Sequence, residues 1–376
     1  MKVKWFVIGI LVLGCLLFFN TFPSQAQKSP KTLTLLYSNN INGEIDPCPT
    51  LGEKNRAGGL ARRGAWVKEI RESEKEILVL DSGDLLFKKF LNPIPENESK
   101  GMGEEANLII ESFNLMTFDA IGIGDDDLTL GKEFLLEISK KANFPFLSSN
   151  LLNEVSGETF SQSSLIKEVK GFRIGIFSLL SPDLFANPSD SRKKGLTIRP
   201  PIETAQAMVK ELKPKTDLII LLSHLGYGKD VELARTIQGI HVIVGSHTGI
   251  NVTYPPPSNT IIVQTSSRGM FGGRLDLVFY KREPVFYNSE KKISLERALN
   301  HIEQRLTSQG TPEAEKARLQ RAREETERNL KQLQGNSFMN RIIALHGQMK
   351  EDPDVKKLIE DYKAKFQTMG ISVPPK

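Results

Sequence analysis

The stretch Ile77-Leu78-Val79-Leu80-Asp81-Ser82-Gly83-Asp84 sets the architecture of this chain, because an apolar run leads directly into a turn with two carboxylates. The apolar part has the length of a buried strand. In open α/β proteins, ligands bind beyond the carboxyl ends of such strands. We therefore expect Asp81 and Asp84 at a ligand-binding edge of a sheet.

The same arrangement recurs at four other places, where an apolar run of strand length precedes a polar motif. Carboxylate and imidazole groups that meet at one sheet edge are typical of a metal site. The four motifs are Ser38-Asn39-Asn40-Ile41-Asn42-Gly43, Gly124-Asp125-Asp126-Asp127, Ser223-His224-Leu225-Gly226 and Gly245-Ser246-His247-Thr248-Gly249.

Strand-like and helix-like segments alternate between residues 31 and 280, which predicts an α/β architecture. The predicted strands are 33–37, 77–80, 120–123, 146–147, 173–179, 218–222, 242–244, 261–264 and 275–279. The predicted helices are 59–71, 104–114, 130–142, 202–212 and 229–236.

Composition excludes some classes of partner. The 376 residues are 39% hydrophobic, so the chain can bury a large core. The formal charge is +5, and it falls to +3 if Lys2 and Lys4 are removed with a leader. Basic residues are interspersed with acidic ones, so a nucleic acid polymer is not an expected partner.

Residues 1–26 are typical of an export signal, with two lysines, an apolar run over 5–19 and small residues at Ser24 and Ala26. We expect cleavage after Ala26 and a periplasmic or secreted protein. The run is shorter than the roughly 18 apolar residues that a membrane span needs, so no stable span is expected after processing. An uncleaved anchor remains an alternative. A lipid anchor at Cys15 is disfavoured because the apolar run continues beyond it.

From residue 289 onward, Glu, Lys, Arg and Gln dominate, and apolar residues recur at helical spacing. We expect a C-terminal α-helical extension over 289–376, with a helical hairpin and a last helix over 353–369. The hairpin could pack on the main domain as a solvated element. It could also bind a partner or form a dimer through 289–335.

Cys48 is the single cysteine that remains after removal of the leader, so the mature chain cannot form an internal disulfide. It lies in Asp46-Pro47-Cys48-Pro49-Thr50, beside the first motif. A reactive or metal-bound thiol is one interpretation, and a small buried side chain is the other.

The order and spacing of the motifs resemble the metallophosphatase superfamily, specifically the bacterial 5′-nucleotidase and UDP-sugar hydrolase branch. The resemblance implies an α/β fold, a four-layer αββα sandwich over residues 31–285 with two metal ions at the carboxyl edges of its sheets. The flanking stretches that also match are Gly58-Gly59-Leu60-Ala61-Arg62, Ser148-Ser149-Asn150-Leu151, 218–226, 239–248 and Gly272-Gly273-Arg274-Leu275.

The resemblance implies that the first metal site is degenerate. The family's first-motif Asp and His correspond to Asn40 and Asn42, and the last His of its Gly-His-x-His motif corresponds to Gly249. Neutral amides are weak ligands for a divalent ion, and glycine offers no side chain. We expect no tight first site.

The second metal site keeps four potential ligands, which by the resemblance are Asp84, Asp125, His224 and His247. Two imidazoles and two carboxylates suit Zn²⁺, Mn²⁺ or Fe²⁺. Since Asp125 replaces a neutral Asn of the family, it should hold a lone cation more firmly. We predict one divalent transition metal ion per chain.

The catalytic position is altered too. Asp126 stands where the family has the His that assists the leaving group, and an ionised carboxylate there would repel a phosphate. A raised pKa would restore an acid role. We expect the neighbouring Asp127 to face solvent.

Two classes of function stay open. The first is an exported 5′-nucleotidase-like phosphohydrolase, which acts on a small phosphoester in nucleotide catabolism at a single-metal site. The second is an inactive metal-binding or redox-accessory module on the same scaffold. Enzymatic activity is the favoured hypothesis.

Overall fold

The computed structural model describes residues 30–49, 56–88, 94, 96–185, 187, 189–253, 256 and 258–368. The predicted leader and Cys15 lie outside these ranges. None of the helices searched in the described part of the chain is long and apolar enough to cross a membrane.

The described elements include all the predicted strands and helices, but the helix predicted at 104–114 begins eight residues earlier, at Glu96, whereas the other ends shift by at most four residues. The strands are β1 (Lys31–Ser38), β2 (Cys48–Pro49), β3 (Arg56–Ala57), β4 (Ile77–Asp81), β5 (Ala120–Gly122), β6 (Phe146–Leu147), β7 (Leu151–Asn153), β8 (Ser164–Val169), β9 (Phe172–Leu180), β10 (Leu196–Ile198), β11 (Leu218–His224), β12 (Val242–Gly245), β13 (Ile261–Val263), β14 (Phe271–Phe279), β15 (Phe286–Asn288) and β16 (Asn336–Ala344). The helices are α1 (Leu60–Ser73), α2 (Glu96–Leu115), α3 (Gly131–Ser139), α4 (Pro201–Leu212), α5 (Tyr227–Thr236), α6 (Ser289–Thr307), α7 (Glu313–Gln332) and α8 (Pro353–Thr368).

Two mixed sheets form the centre of the fold. The larger has seven strands in the order β15-β16-β14-β1-β4-β5-β6, and the smaller has five in the order β13-β12-β11-β9-β8. The strands that carry the polar motifs run parallel, since β1 pairs with β4, β4 with β5, and β11 with β12 in parallel register. Their carboxyl ends therefore share an edge in each sheet.

Successive side chains of β1 point alternately into two hydrophobic cores, one on each face of the larger sheet. Leu35 and Tyr37 of β1 belong to a core between the sheets, together with Ile220 of β11. The intervening Leu36 points the other way, into a core with helices α1, α2 and α8. On the far side, helices α4 and α5 cover the smaller sheet. Because residues alternate faces along a strand, this pattern gives the predicted four-layer αββα sandwich.

The C-terminal region contains the expected helices and also a strand that the sequence did not predict. Helices α6 and α7 do form the predicted hairpin, but the chain then enters the larger sheet as β16, between β14 and β15. Polar residues interrupt the apolar pattern of β16, so the sequence did not indicate a strand there. Asn340 is buried and accepts a hydrogen bond from the Tyr37 hydroxyl at 2.8 Å, and Asn336 accepts from the backbone N–H groups of Tyr280 and Lys281.

The hairpin itself contributes little to the core. No residue of α6 is buried, and Thr326 is the one buried residue of α7. By contrast, Val355 and Ile359 of α8 belong to the core between the larger sheet and its helices. The expected partner or dimer surface over 289–335 stays a prediction.

Gly273 tests this packing, because a Cβ there would lie 2.0 Å from Cζ of the buried Tyr37 ring. We expect Gly273→Ala to lower the free energy of unfolding by about 3 kcal/mol, at the upper end of typical overpacking costs. Gly228 in α5 is the matched control, since a Cβ there meets nothing within 4 Å. Gly228→Ala should leave stability unchanged or raise it by about 0.5 kcal/mol. Urea unfolding of both variants measures the difference, and equal stabilities would contradict the packing described.

Candidate metal centre

Four side chains from both sheets meet at one point. Asp84 follows β4, Asp125 follows β5, His224 ends β11 and His247 follows β12. Each offers a ligand atom, and these four atoms all lie within 4.8 Å of one another. They are the four residues that the sequence singled out for the second metal site. The structure thus brings the complete predicted ligand group together.

The distances are compatible with a single ion. His224 Nε2 lies 3.2 Å from Asp84 Oδ2 and 3.1 Å from Asp125 Oδ1. His247 Nδ1 lies 3.8 Å from the same Asp125 oxygen. Ligands held at about 2.1 Å around a tetrahedral ion would be about 3.4 Å apart. The donor atoms and their spacing therefore fit a divalent transition metal.

His224 is oriented by the backbone. The imidazole is completely buried, and its Nδ1 lies 3.1 Å from the Ser82 carbonyl oxygen. In the tautomer that donates this hydrogen bond, Nε2 presents its lone pair to the carboxylates, as in histidines that bind metal ions. Burial alone would lower the pKa of His224, but Asp84 and Asp125 raise it well above its usual range. The same two negative charges would favour a cation.

The backbones of the loops after β4 and β5 lie so close together that two glycines are needed at the contact. A Cβ on Gly83, whose φ is +97°, would lie 2.5 Å from the Gly124 backbone nitrogen. A Cβ on Gly124 would lie 2.3 Å from Asp84 Oδ1 and 2.8 Å from His224 Cε1. Asp84 and His247 themselves have φ values of 56° and 70°. Left-handed backbone at residues other than glycine is costly and concentrates at functional sites.

Asp127 does not face solvent, so that expectation was wrong. Its side chain is completely buried. It accepts hydrogen bonds of 2.8 to 3.0 Å from the backbone N–H groups of Asp84, Leu85, Leu86 and Gly124. Burial and the Asp84 charge raise the pKa of Asp127 to about 7, whereas the N–H donors favour its charged form. Asp127 therefore fastens the two loops to each other.

Arg192 is a member of the site that the sequence did not reveal. Its Nη1 lies 2.6 Å from Asp125 Oδ2 and 2.7 Å from Asp126 Oδ1, and its Nη2 lies 2.7 Å from Asp190 Oδ2. The guanidinium carbon is 5.2 Å from the centre of the Phe185 ring. Burial would lower the pKa of Arg192, but hydrogen bonding to Asp190 and the nearby carboxylates raise it. Arg192 is thus a fixed cation beside the ligand group.

The contact with Arg192 bears on the predicted catalytic residue. Asp126 is 8% exposed, and its carboxylate is hydrogen-bonded to a permanent cation. Such a contact stabilises the ionised form. The geometry therefore favours an electrostatic role for Asp126 over proton donation.

The degenerate first-site positions have structural contacts of their own. Asn40 Oδ1 accepts hydrogen bonds from the Ser246 hydroxyl and, at 2.9 Å, from the His247 backbone N–H. Asn42 is half-buried with φ of 53°, and its N–H donates to the Asp84 carbonyl at 2.8 Å. Gly249 has φ of +62°, and a Cβ there would lie 3.2 Å from Ser267 Oγ. The side-chain amide of Asn40 thus joins the loop after β1 to the loop after β12, which carries His247.

Cys48 is a buried side chain, as one of its two interpretations expected. It lies in β2, is 3% exposed and pairs with Ala57 of β3. Burial raises the pKa of its thiol. A raised pKa disfavours the thiolate, which is the form that reacts and binds metals.

In sequence, the chain is similar to proteins named 5′-nucleotidase. No family model matches the chain. Snake venom 5′-nucleotidase of Crotalus adamanteus is 25% identical over 301 residues, which cover 71% of this chain and 49% of that protein. The 5′-nucleotidase of Bos taurus is 29% identical over 270 residues, which cover 68% of this chain and 43% of that protein. The chain thus spans about half the length of these curated relatives.

A solved structure extends the similarity to the fold. The crystal structure of calcineurin-like phosphoesterase YfkN from Bacillus subtilis superimposes with a TM-score of 0.63 at 18% identity, over 90% of this chain and 99% of that one. The sequence similarity to 5′-nucleotidases and the shared fold support the resemblance to the 5′-nucleotidase branch of the metallophosphatase superfamily that the motifs indicated.

Proposed function

We propose that this protein is an exported phosphohydrolase that works with one divalent transition metal ion held by Asp84, Asp125, His224 and His247. The convergence of these four donors within 4.8 Å supports the proposal most directly. The relatives are named 5′-nucleotidases, so we propose a small phosphoester as the substrate class. Export rests on the leader-like sequence of residues 1–26.

A single ion follows from the contrast between the two sites. The four donors of the second site include two imidazoles and two carboxylates, which suit Zn²⁺, Mn²⁺ or Fe²⁺. At the first site, the oxygen of Asn40 is already used by Ser246 and His247, and Gly249 offers no donor. Loss is therefore concentrated in one site, as expected for conversion from two metals to one.

The protein groups around the ion have distinct roles in this proposal. A bound ion would supply an activated water molecule for hydrolysis. The Ser82 carbonyl orients His224, whereas Arg192 binds Oδ2 of Asp125 and so turns Oδ1 toward the ligand group. His247, with 39% of its side chain exposed, lies at the rim. Substrate would therefore approach from the His247 side.

One observation favours the alternative, a module that binds metal without catalysis. Asp126 occupies the position of the family's assisting His, and its carboxylate is held by Arg192. This contact with a guanidinium disfavours the transfer of a proton from Asp126 to a leaving group. Turnover of the metal-loaded protein on a panel of phosphoesters separates an enzyme from a binding module.

We expect the purified mature protein to hold about one transition metal ion per chain, since one ligand group is complete. His224→Ala should remove the ion together with any hydrolysis, because loss of one imidazole from four ligands weakens binding steeply. His241→Ala is the matched control, as His241 Nδ1 accepts from the Ile219 N–H and is not in the ligand group. Elemental analysis and phosphoester turnover are measured on both. Full metal content in His224→Ala would place the site elsewhere.

Restoring the first-site ligands tests the conversion. The triple variant Asn40→Asp, Asn42→His, Gly249→His should bind a second ion, and adding Asp126→His should raise phosphatase activity. The left-handed backbone at Asn42 and Gly249 will cost stability, roughly 1–2 kcal/mol for each histidine. Mass spectrometry under native conditions counts the ions. A folded triple variant that still holds one ion would contradict the conversion hypothesis.

A further inference from the structure

The ligand group lies in an unusually acidic surrounding. The ligand group itself contains the carboxylates of Asp84 and Asp125. The carboxylates of Asp126 and Asp190 lie close by, because both are hydrogen-bonded to the guanidinium of Arg192, which also binds Asp125. Four carboxylates and one guanidinium carry a formal charge of minus three, which a divalent ion reduces to minus one. The fifth carboxylate, Asp127, is bound by four backbone N–H groups, so its charge is partly offset.

Other cations near the site are already paired. Lys229, whose charge acts on His247, is hydrogen-bonded to the Ser181 hydroxyl at 2.7 Å and forms an ion pair with Asp183. Arg268, whose backbone N–H donates to the Asn40 carbonyl, forms an ion pair with Glu44 at 2.8 Å. The positive charge of each residue is therefore partly offset by its own acidic partner.

We propose that this site selects singly charged phosphodiesters over doubly charged phosphomonoesters, and that Asp126 is the residue that determines this selectivity. The inference rests on the proposed one-ion function and names its substrate class. A diester brings one negative charge to a site that already carries a net negative charge with its ion bound. A monoester brings two.

Coulomb's law gives an order-of-magnitude estimate of how strongly the charge of Asp126 affects the affinity for a phosphoester. Asp125 Oδ2 and Asp126 Oδ1 both lie within 2.7 Å of Arg192 Nη1, so Asp126 is close to a ligand of the ion. A unit charge at about 5 Å changes affinity on the order of 100-fold at an effective dielectric constant near 20. Screening at the partly open rim reduces this, so we expect at least a ten-fold preference.

The test compares two esters that differ in one charge. Phenyl phosphate and methyl phenyl phosphate share the aryl group, and at pH 8 the first is a dianion because its second pKa lies near 6. Both are titrated against Mn²⁺-loaded protein whose one-ion content has been measured. Phosphorus-31 relaxation by the bound Mn²⁺ reports binding at the ion whether or not turnover occurs. Failure of the one-ion proposal would appear in the metal content before this titration begins.

We expect methyl phenyl phosphate to bind the wild-type protein at least ten times more tightly than phenyl phosphate. Asp126→Asn keeps an oxygen for Arg192 and removes one charge, so it should tighten phenyl phosphate binding at least ten-fold and narrow the preference. Glu211→Gln is the control, since Glu211 is an exposed residue of α4 paired with Lys215 and its replacement changes the net charge equally. That variant should retain the wild-type preference.

The wild-type titration alone can overturn the proposal. Equal or tighter binding of phenyl phosphate would do so, and so would the absence of relaxation for both esters. If Asp126→Asn and Glu211→Gln narrowed the preference for methyl phenyl phosphate equally, the preference would depend on the overall charge of the protein. That result would overturn the role of Asp126.

Discussion

The site depends on the close approach of two loops that leave neighbouring parallel strands. Gly83 and Gly124 allow the backbones to touch, because a Cβ on either would meet atoms at 2.5 Å or less. Asp127 then fixes the approach by accepting N–H groups from both loops. These contacts place a carboxylate oxygen of Asp84 and one of Asp125 beside Nε2 of His224.

Charged and neutral side chains around this frame have partners within the protein. At the first-site positions, a neutral Asn40 holds the loop of Ser246 and His247 by hydrogen bonds. At the second site, Asp125 adds a negative charge, and Arg192 neutralises part of it from outside the ligand group. A buried carboxylate without such a partner would be costly. The carboxylates of Asp125 and Asp126 and the buried guanidinium of Arg192 therefore form one hydrogen-bonded group.

The sequence predicted those features that depend on local pattern. Strand-length apolar runs followed by polar motifs predicted that all four candidate donor residues lie at the ends of strands, because a parallel strand carries its motif to the sheet edge. Arg192 could not be found this way. Asp190-Ser191-Arg192-Lys193-Lys194 has the composition of a solvated loop, and Arg192 is buried only because the chain places it against Phe185 and the two aspartates. Strand β16 was missed for a related reason, since its buried asparagines find partners that are distant in sequence.

Hydrogen bonds within the protein hold the ligand loops in place. Asp127 binds four backbone N–H groups, Asn40 joins two loops, and the Ser82 carbonyl fixes His224. Many small domains with a structural zinc site unfold when the ion is removed. The ligand loops of this protein differ, because they are also held by hydrogen bonds to other parts of the chain. A scaffold organised in this way can lose the ligands of one ion without losing its fold. The same independence lets the remaining site change its charge, and with it the ligand that it accepts, while the αββα sandwich stays intact.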